Sequence, residues 1–243
     1  MTSENLGTYE ELAEEYYDAS RHPTCANFRQ ASAILLRKWS SHLPSKLGSS
    51  CEIGPGRSLL AEFRNLGKFS TRALLLVDSS RSMLEHSRIY SGPGQRGVIG
   101  AATALPVKDD SIEFVASFLG DPYNVPEFWR EVYRVLKVGG KFVFTTPSYE
   151  WASAFRAGLS GEEQDSAEFL LSNGRKVLVP SFILPEKKQR ELITSANFRV
   201  LDLAGVRTSD LSHERLSPKL MVNHIKELVV VTGYLCEKRR AAK

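Results

Sequence analysis

The sequence predicts a single α/β domain with a mostly parallel sheet that is covered by helices on both faces. Its main feature is a series of short, continuous apolar runs, which is typical of strands buried on both faces. Helical stretches lie between these runs, as in parallel β-α-β units. The chain has 243 residues, with 42% hydrophobic and 25% charged content. Such a chain can bury one sizeable core, so we expect one domain over residues 1–243.

The first 45 residues are predicted to be helical. Thr8 and Glu11 form a capping-box pattern that opens a helix extending to about Ala19. A second helix is expected over residues 24–39, before a proline and a glycine end the segment. We interpret residues 1–45 as a helical cap.

Residues 46–147 contain the predicted core of the sheet. The expected strands are, in order, SSCEIG, RALLLVD, RGVIG, IEFVASF and KFVFTT. Helices are predicted near Leu59–Asn65, Arg81–Tyr90 and Val125–Leu136. We expect this segment to bind a cofactor.

The pattern changes after this core. EFLLSNGRKVLVP places Asn173 and Gly174 between two strand-like runs, which is a strong hairpin signal. We therefore interpret residues 148–185 as a small insertion or lid. A helix at about 185–195, followed by FRVLDLAGV and KELVVVTGYLC, makes residues 186–243 a C-terminal helix with an antiparallel strand pair at the sheet edge.

Charge and cysteine content narrow the expected partners and location. The net charge of +4 makes a nucleic-acid partner possible but does not indicate one. Cys25, Cys51 and Cys236 are far apart and lack metal-ligand spacing, so we expect reduced thiols and no metal. The N-terminus is acidic and no window is long and apolar enough for a membrane span. These features predict a cytoplasmic protein without a membrane anchor, whose oligomeric state the sequence leaves open.

The stretch SCEIGPGRSLL is the first candidate site. Glu52 and Gly54 lie at the carboxyl end of the first predicted strand, and Gly56 lies in the turn into the next helix. Open α/β sheets bind ligands at this edge, and glycines let the backbone approach a ligand closely. Asp78 ends the second strand, where a carboxylate can accept hydrogen bonds from a ribose diol. These positions predict a ribose-bearing cofactor.

The glycine loop also indicates which cofactor to expect. It lacks the third glycine of GxGxxG, and the chain has no P-loop motif. The loop resembles the E/DxGxGxG motif of class I S-adenosylmethionine-dependent methyltransferases, with Ser58 in place of the third glycine. The N-terminal TYEELAEEYYDAS resembles the cap helix of the small-molecule branch that includes quinone-biosynthesis methyltransferases. The resemblance covers nearly the whole chain and implies a Rossmann-like, seven-stranded sheet of order 3-2-1-4-5-7-6 with S-adenosylmethionine as cofactor.

The same resemblance implies a set of cofactor-binding residues. LLLVDSSRSML resembles the family's second motif, and GAATALPVKDDSIEFVAS resembles the segment that binds the adenine edge, with Ala101 or Ala102 where an acidic residue usually stands. A tyrosine of the cap helix closes over the cofactor in this branch. The implied residues are Tyr16, Glu52, Gly54, Gly56, Asp78, Ser79, Met83, Ala102, Thr103 and Phe118.

The sequence defines the binding site of the methyl acceptor less closely than that of the cofactor. Methyl transfer needs alignment of the acceptor and sometimes a base, and no residue type is obligatory. DPYN is similar to the signature of amino methyltransferases that act on nucleobases, but it lacks the second proline and lies later in the chain. Candidate bases are His22 and Tyr123, with His213 and His224 as further histidines. The expected substrate-pocket residues are Tyr17, Asp121, Tyr123, Tyr149 and Trp151.

The sequence therefore predicts methyl transfer to O, N or C of a small-molecule metabolite, as in biosynthesis. One alternative is an RNA or protein methyltransferase. The pI of 8.9 and the basic residues from Lys187 to Arg190 favour this alternative. A second alternative is a cofactor-binding partner protein without catalysis, because the acid is missing at Ala101 and no base is evident.

Overall fold

The computed structural model describes residues 3–43, 45–212, 216–221 and 227–240. The helices of this part are α1 Ser3–Leu12, α2 Pro23–Ser40, α3 Leu59–Asn65, α4 Arg81–Glu85, α5 Pro126–Val135, α6 Tyr149–Phe155 and α7 Glu186–Ser195. The strands are β1 Leu47–Ile53, β2 Thr71–Asp78, β3 Gln95–Ile99, β4 Ile112–Ser117, β5 Leu136–Pro147, β6 Ser166–Leu170, β7 Lys176–Pro180, β8 Phe198–Arg207 and β9 Val229–Lys238.

Seven of these strands form the central sheet, in the order β3-β2-β1-β4-β5-β9-β8. Strands β1 to β5 pair in parallel, whereas β9 runs antiparallel to both β5 and β8. The hairpin strands β6 and β7 form a separate two-stranded sheet. Counting only the central strands, the order is 3-2-1-4-5-7-6, so the predicted Rossmann-like fold is confirmed.

Helices cover both faces of this sheet because its strands are apolar on both sides. On one face, α2 buries Leu35 and Trp39 in a cluster that also holds Phe114 of β4. On the other face, α5 buries Phe128 and Trp129 against aromatic residues of β5. Buried side chains of this size are each worth about 1.5 to 3 kcal/mol or more, so these contacts fix the sheet between the helices.

The N-terminal segment differs from the helix predicted between Thr8 and Ala19. Helix α1 begins at Ser3, so Thr8 lies inside the helix and not at its start, and the helix ends at Leu12, after which the chain continues in turns. Tertiary contacts explain this early end, because the Tyr17 hydroxyl accepts a hydrogen bond from the Arg57 amide and holds the segment against the glycine loop. Helix propensity is too weak to override such contacts.

Helix α1 and the β6-β7 hairpin share a small apolar cluster that is separate from the two faces of the sheet. Leu12 packs there with Leu171, Val177 and Val179. Glu15 accepts a hydrogen bond of 3.0 Å from the Ser172 amide in the hairpin turn. We call α1 with residues 13–17 and the hairpin the lid, because it covers the carboxyl ends of the parallel strands.

Among the described residues, no helix is long and apolar enough to cross a membrane. Within the same ranges, no three His, Cys, Asp or Glu side chains are grouped so that they could hold a metal ion.

Candidate functional site

A cavity of about 90 Å³ lies between the lid and the carboxyl ends of β1, β2 and β4. Three lid tyrosines, Tyr9, Tyr16 and Tyr17, form part of its wall. The volume is well below the roughly 300 to 1,000 Å³ of typical ligand pockets. A nucleoside-sized ligand therefore requires these side chains to move apart.

The glycine loop forms the floor beside β1. Gly54 and Gly56 have φ angles of +61° and +45°, in the left-handed region that favours glycine. A Cβ atom on Gly54 would lie 2.2 Å from the Tyr123 hydroxyl, and one on Gly56 would lie 2.1 Å from the Tyr17 hydroxyl. Ser58 has an ordinary φ of −54° and caps α3, so no third glycine is required. Gly54 borders the cavity, whereas Gly56 lies beside it, packed against Tyr17 and Met83.

Glu52 lies beneath this loop and is fully buried. Its carboxylate oxygens accept hydrogen bonds of 3.0 Å from the Leu59 and Leu60 amides, and the Ser58 hydroxyl donates a further one. Burial raises the pKa of Glu52 to about 7. Although Glu52 borders the cavity, its carboxylate mainly organises the start of α3.

Asp78 is buried at the end of β2 and borders the same cavity. Its two carboxylate oxygens accept hydrogen bonds of 3.0 Å from the Gly56 and Ser80 amides. Burial raises the pKa of Asp78 above its usual value. An ionised carboxylate offers about four acceptor positions, so Asp78 can accept additional hydrogen bonds from ligand hydroxyls.

Other predicted cofactor residues lie around this centre. Ser79, Met83, Ala102 and Phe118 border the cavity, whereas Thr103 is half-buried and does not. The methyl carbon of Met83 lies 3.0 Å from the position of a Cβ on Gly56. The structure therefore brings residues from the first, second and fourth strand ends together, as the order of motifs predicted.

Of the lid tyrosines, Tyr17 contacts the glycine loop directly. The Tyr17 hydroxyl accepts a hydrogen bond of 2.6 Å from the Arg57 amide, and its ring centroid lies 4.4 Å from the Arg57 guanidinium carbon. Tyr16 packs against Tyr17 and against Phe169 of the hairpin. Burial raises the pKa of both tyrosines.

Tyr123 borders the cavity but its hydroxyl already has partners. It donates to the Ile53 carbonyl at 2.9 Å and lies 2.8 Å from the Ser117 hydroxyl. Burial raises its pKa well above the usual value. A protonated hydroxyl with two partners is poorly suited to act as the base that the sequence suggested.

Asp121 is buried next to the cavity, at the start of the DPYN turn. Its carboxylate accepts a hydrogen bond of 2.6 Å from the Ser181 hydroxyl, which in turn accepts one of 2.8 Å from Arg156. Burial raises the pKa of Asp121 to about 6. This chain connects the segment after the hairpin to the rim of the cavity.

Besides Gly56, Thr103 and Asp121, three more predicted site residues do not line the cavity. Trp151 is buried edge-on against Phe28, with its ring nitrogen donating to the Lys219 carbonyl at 2.8 Å, so it is a core residue. Tyr149 is 46% exposed on α6. The His22 ring packs against Phe169, and burial lowers its pKa.

The two remaining candidate bases, His213 and His224, lie outside the described residues.

The residues that border the cavity without having been predicted include Tyr9, Cys25, Arg29 and Arg57. Arg57 belongs to the quoted glycine loop, so its position could have been recognised there. The other three lie on α1 and α2, where nothing in the sequence distinguishes a residue that faces the cavity from one that packs in the core.

Comparison with known proteins agrees with this geometry. Residues 51–144, which include the end of β1 and all of β2 and β4, match a family described as Methyltransferase domain. No curated protein matches the chain in sequence.

Several solved structures share the fold. A chain of the complex between the Haloferax volcanii Trm112 methyltransferase activator and a protein assigned as a methyltransferase has a TM-score of 0.70 at 16% identity, covering 98% of this chain and 99% of that chain. An S-adenosylmethionine-dependent methyltransferase from Clostridium acetobutylicum has a TM-score of 0.63 at 12% identity, covering 96% and 99%. One from Mesorhizobium loti has a TM-score of 0.60 at 15% identity, covering 87% and 100%.

At these identities the structural likeness shows the fold. The family match adds a methyltransferase domain over the segment that carries the glycine loop and Asp78. Together these findings show the predicted fold and a methyltransferase-domain match over the candidate site, and two of the similar structures are S-adenosylmethionine-dependent methyltransferases.

Proposed function

We propose that the protein transfers the methyl group of S-adenosylmethionine to an O, N or C atom of a small-molecule metabolite. The observation that carries this proposal is the contact between Asp78 and the Gly56 amide, which joins the ends of β1 and β2 at the cavity. Gly54 and Gly56 lack the Cβ atoms that would close the loop against the lid tyrosines and Tyr123. The residues present thus fit the predicted cofactor once the lid tyrosines move apart.

In this proposal, Asp78 accepts hydrogen bonds from the ribose hydroxyls. Ser79, Met83 and Ala102 surround the adenine, and Phe118 lies beside the adenine or the methyl group. Gly54 and Gly56 let the loop backbone approach the cofactor, with Glu52 holding the loop from below. Thr103 contributes at most its backbone, because its side chain is not at the cavity.

The chemistry requires alignment more than a strong base. S-adenosylmethionine supplies a sulfonium methyl group that is already reactive. The cavity walls hold the acceptor in line with that group and exclude water, and such positioning accounts for a large part of the barrier reduction in enzymes. The Tyr123 hydroxyl is already hydrogen-bonded to the Ile53 carbonyl and the Ser117 hydroxyl. Tyr123 therefore has a positioning role at the floor of the cavity.

The lid favours a small acceptor over a macromolecule. Tyr9 and Tyr16 close the cavity from above, and Phe118 and Leu119 add apolar surface. Aromatic walls suit an apolar or aromatic acceptor, as expected for the quinone-biosynthesis-like branch that the N-terminal segment resembles. The alternative of an RNA or protein methyltransferase would require the lid to open widely.

A protein activator is a further proposed partner. The likeness to the chain from the Haloferax volcanii complex extends over almost the full length of both chains. Co-purification of a small protein with the tagged chain, and a rise in methyl transfer when that protein is added back, would support this partner.

The proposed function is tested by methyl transfer from labelled cofactor to a cell extract. The extract is separated into small molecules, RNA and protein after reaction with the wild type, with Asp78→Ala and without enzyme. We expect label in the small-molecule fraction with the wild type only. Label in the RNA or protein fraction would show that the acceptor is RNA or protein and not a small molecule. Cofactor binding without any methyl transfer would favour the non-catalytic alternative.

A further inference from the structure

A second cavity, of about 400 Å³, lies between α4, the helical turn His86–Tyr90 and strands β2 and β3. We call it the groove. It shares no lining residue with the first cavity, and none of the residues predicted for the cofactor or the acceptor borders it. Its volume falls within the roughly 300 to 1,000 Å³ of typical ligand pockets. The groove is therefore a separate candidate binding site.

One side of the groove is apolar and is kept open by a glycine. Leu76 of β2 and Leu84 of α4 border it, together with Gln95, Gly97 and Ile99 of β3. The three β3 residues alternate along the strand and so point to the same face of the sheet. A Cβ on Gly97 would lie 3.0 Å from a methyl carbon of Leu84, so a larger side chain there would fill the space. Ile99 is 46% exposed and offers apolar surface to a ligand.

The rim of the groove carries more positive than negative charge. Arg81, Arg88 and Glu85 border it, and Arg88 pairs with Glu85. Arg81 is exposed and forms no ion pair among the described residues. Arg64 donates to the side-chain oxygen of Gln95 at 2.7 Å and likewise pairs with no carboxylate in the described part of the chain. Three guanidinium groups thus face one carboxylate, which favours an anionic ligand.

The groove also adjoins the segment that holds the first site together. Ser87 borders it, and the Ser87 hydroxyl donates to the Gly56 carbonyl and accepts a hydrogen bond of 2.9 Å from the Ser58 amide. Glu10 of the lid accepts a hydrogen bond of 2.6 Å from the Arg81 backbone amide. A ligand in the groove would therefore contact residues that are bonded to the glycine loop and to the lid.

We propose that the groove is an effector site for a small organic anion. The carboxylate or phosphate of this anion binds Arg81 beside Arg88, because guanidinium groups match both anions with paired N–H donors. Its apolar part packs on Leu84 and Ile99. The ligand is an effector and not a methyl acceptor, since Met83 of α4 borders the first cavity while its neighbour Leu84 borders the groove. The effect on the cofactor site rests on the proposed function, whereas binding in the groove does not.

The test uses phenyl phosphate, benzoate and inorganic phosphate as probes, with benzyl alcohol as the neutral control. NMR spectra of the backbone amides locate each probe on the isotope-labelled chain, and calorimetry measures its affinity. Phenyl phosphate and benzoate distinguish a phosphate ligand from a carboxylate ligand. Inorganic phosphate and benzyl alcohol show what the apolar part and the charge each contribute.

Two variants change the groove in different ways. Arg81→Gln removes an exposed charge that has no ion-pair partner among the described residues, so the fold should be retained. Gly97→Val fills the groove with a residue that suits a strand. Arg37→Gln is the matched control, because Arg37 is also an exposed helical arginine without an ion pair in the described part of the chain and does not border the groove. Thermal unfolding shows whether each variant is folded.

Phenyl phosphate or benzoate should cause its largest amide shifts between residues 81 and 99, and inorganic phosphate and benzyl alcohol should bind more weakly. Arg81→Gln should weaken binding of the organic anion about 3-fold to 10-fold, a modest effect because an exposed charge is screened by water. Added salt should weaken binding in the wild type. Gly97→Val should abolish it, and Arg37→Gln should behave as the wild type.

The effector role is measured by titrating S-adenosylhomocysteine with and without saturating probe. The affinity for S-adenosylhomocysteine should change about 5-fold or more in the wild type and stay constant in Gly97→Val. By reciprocity, S-adenosylhomocysteine should change the affinity for the probe by the same factor.

Largest shifts around Asp78 instead of the groove would overturn the binding site, as would full anion affinity in a folded Arg81→Gln. If Gly97→Val is unfolded, Arg81→Gln decides alone. Anion binding in the groove without any change in S-adenosylhomocysteine affinity would overturn the effector role. A wild type that binds the anion in the groove but binds no S-adenosylhomocysteine would overturn the proposed function and leave the groove as a binding site, so the two failures are distinguishable.

Discussion

The Asp78 carboxylate accepts a hydrogen bond of 3.0 Å from the Gly56 amide, across the 22 residues that separate them in sequence. This contact joins the end of β2 to the loop that follows β1. The other carboxylate oxygen holds the Ser80 amide at the start of α4. Asp78 therefore combines a structural role with the role that we propose for it in ribose binding.

Asp78→Ala should weaken cofactor binding by about 10-fold to 100-fold, because charge-assisted hydrogen bonds to the ribose are lost. It should also lower the free energy of unfolding by about 1 to 3 kcal/mol, since two buried amides lose their acceptor. Calorimetry and urea unfolding measure the two effects.

Ser80→Ala is the control for Asp78→Ala. The Ser80 hydroxyl accepts a hydrogen bond from the Met83 amide and caps α4, so its loss should lower stability by about 1 kcal/mol with unchanged cofactor affinity. If Asp78→Ala likewise changed stability alone, Asp78 would be a helix and loop anchor and the ribose role would be wrong.

Gly56→Ala should lower both stability and cofactor affinity. Its φ of +45° is strained for alanine, and the added Cβ would lie 2.1 Å from the Tyr17 hydroxyl. Gly56→Val should be worse, so loss of binding will be accompanied by loss of stability. Thermal unfolding and calorimetry on Gly56→Ala separate the two quantities.

Gly67→Ala provides the comparison for backbone strain alone. Gly67 has a φ of +66°, and a Cβ there would have no heavy atom within 4 Å among the described residues. We expect a loss of about 1 to 2 kcal/mol without a change in cofactor affinity. Equal effects of both alanine variants on stability and affinity would contradict a close contact at Gly56.

Asp121 should make stability depend on pH. Burial raises its folded-state pKa to about 6, above the usual value of about 3.9, so the folded protein binds this proton more tightly than the unfolded chain does. Its contribution to stability is therefore fully present below about pH 4 and is lost as pH rises through about 6. Urea unfolding of the wild type and Asp121→Asn between pH 4 and 8 measures it.

The free energy of unfolding of the wild type minus that of Asp121→Asn should fall between about pH 4 and 6, by about 1.4 kcal/mol for each pKa unit. Above about pH 6 this difference should level off. In Ser181→Ala the carboxylate loses the hydrogen bond that lowers its pKa, so the fall should extend to higher pH. A difference that stays constant over this range would show that the Asp121 pKa is not raised.

Leu12→Ala should loosen the lid as one unit. Leu12 is fully buried in the cluster shared by α1 and the hairpin, so hydrogen exchange should accelerate in both 3–17 and 166–180. Leu60→Ala, in the main core, should instead lower the unfolding temperature of the whole protein. Faster exchange in α1 alone would contradict a shared lid.

The sheet core could be predicted well from sequence because its strands are nearly continuous apolar runs. Those runs, with Gly56 in the loop after β1 and Asp78 at the end of β2, predict where the candidate site lies before any contact is known. Trp151 was misjudged because its partner Phe28 lies 123 residues away, and the sequence contains no signal for that pairing. The same limit applies to Arg29, whose position at the cavity depends on how α2 packs across the sheet.

Local patterns also failed where tertiary contacts decide the conformation. The capping pattern at Thr8 and Glu11 predicted a helix to Ala19, but the bond between Tyr17 and the Arg57 amide accompanies an earlier end. Glu52 was expected to face the cofactor, and its carboxylate instead binds the amides at the start of α3. Sequence order places such residues near the site without showing where their oxygen atoms point.

The central claim is that the cavity at the ends of β1, β2 and β4 binds S-adenosylmethionine. Titration calorimetry of the folded wild type with S-adenosylhomocysteine, the demethylated product, tests it most directly. The account predicts saturable binding to one site per chain, weakened at least about 10-fold in Asp78→Ala. Absence of both heat and a thermal shift with this ligand and with S-adenosylmethionine would contradict it.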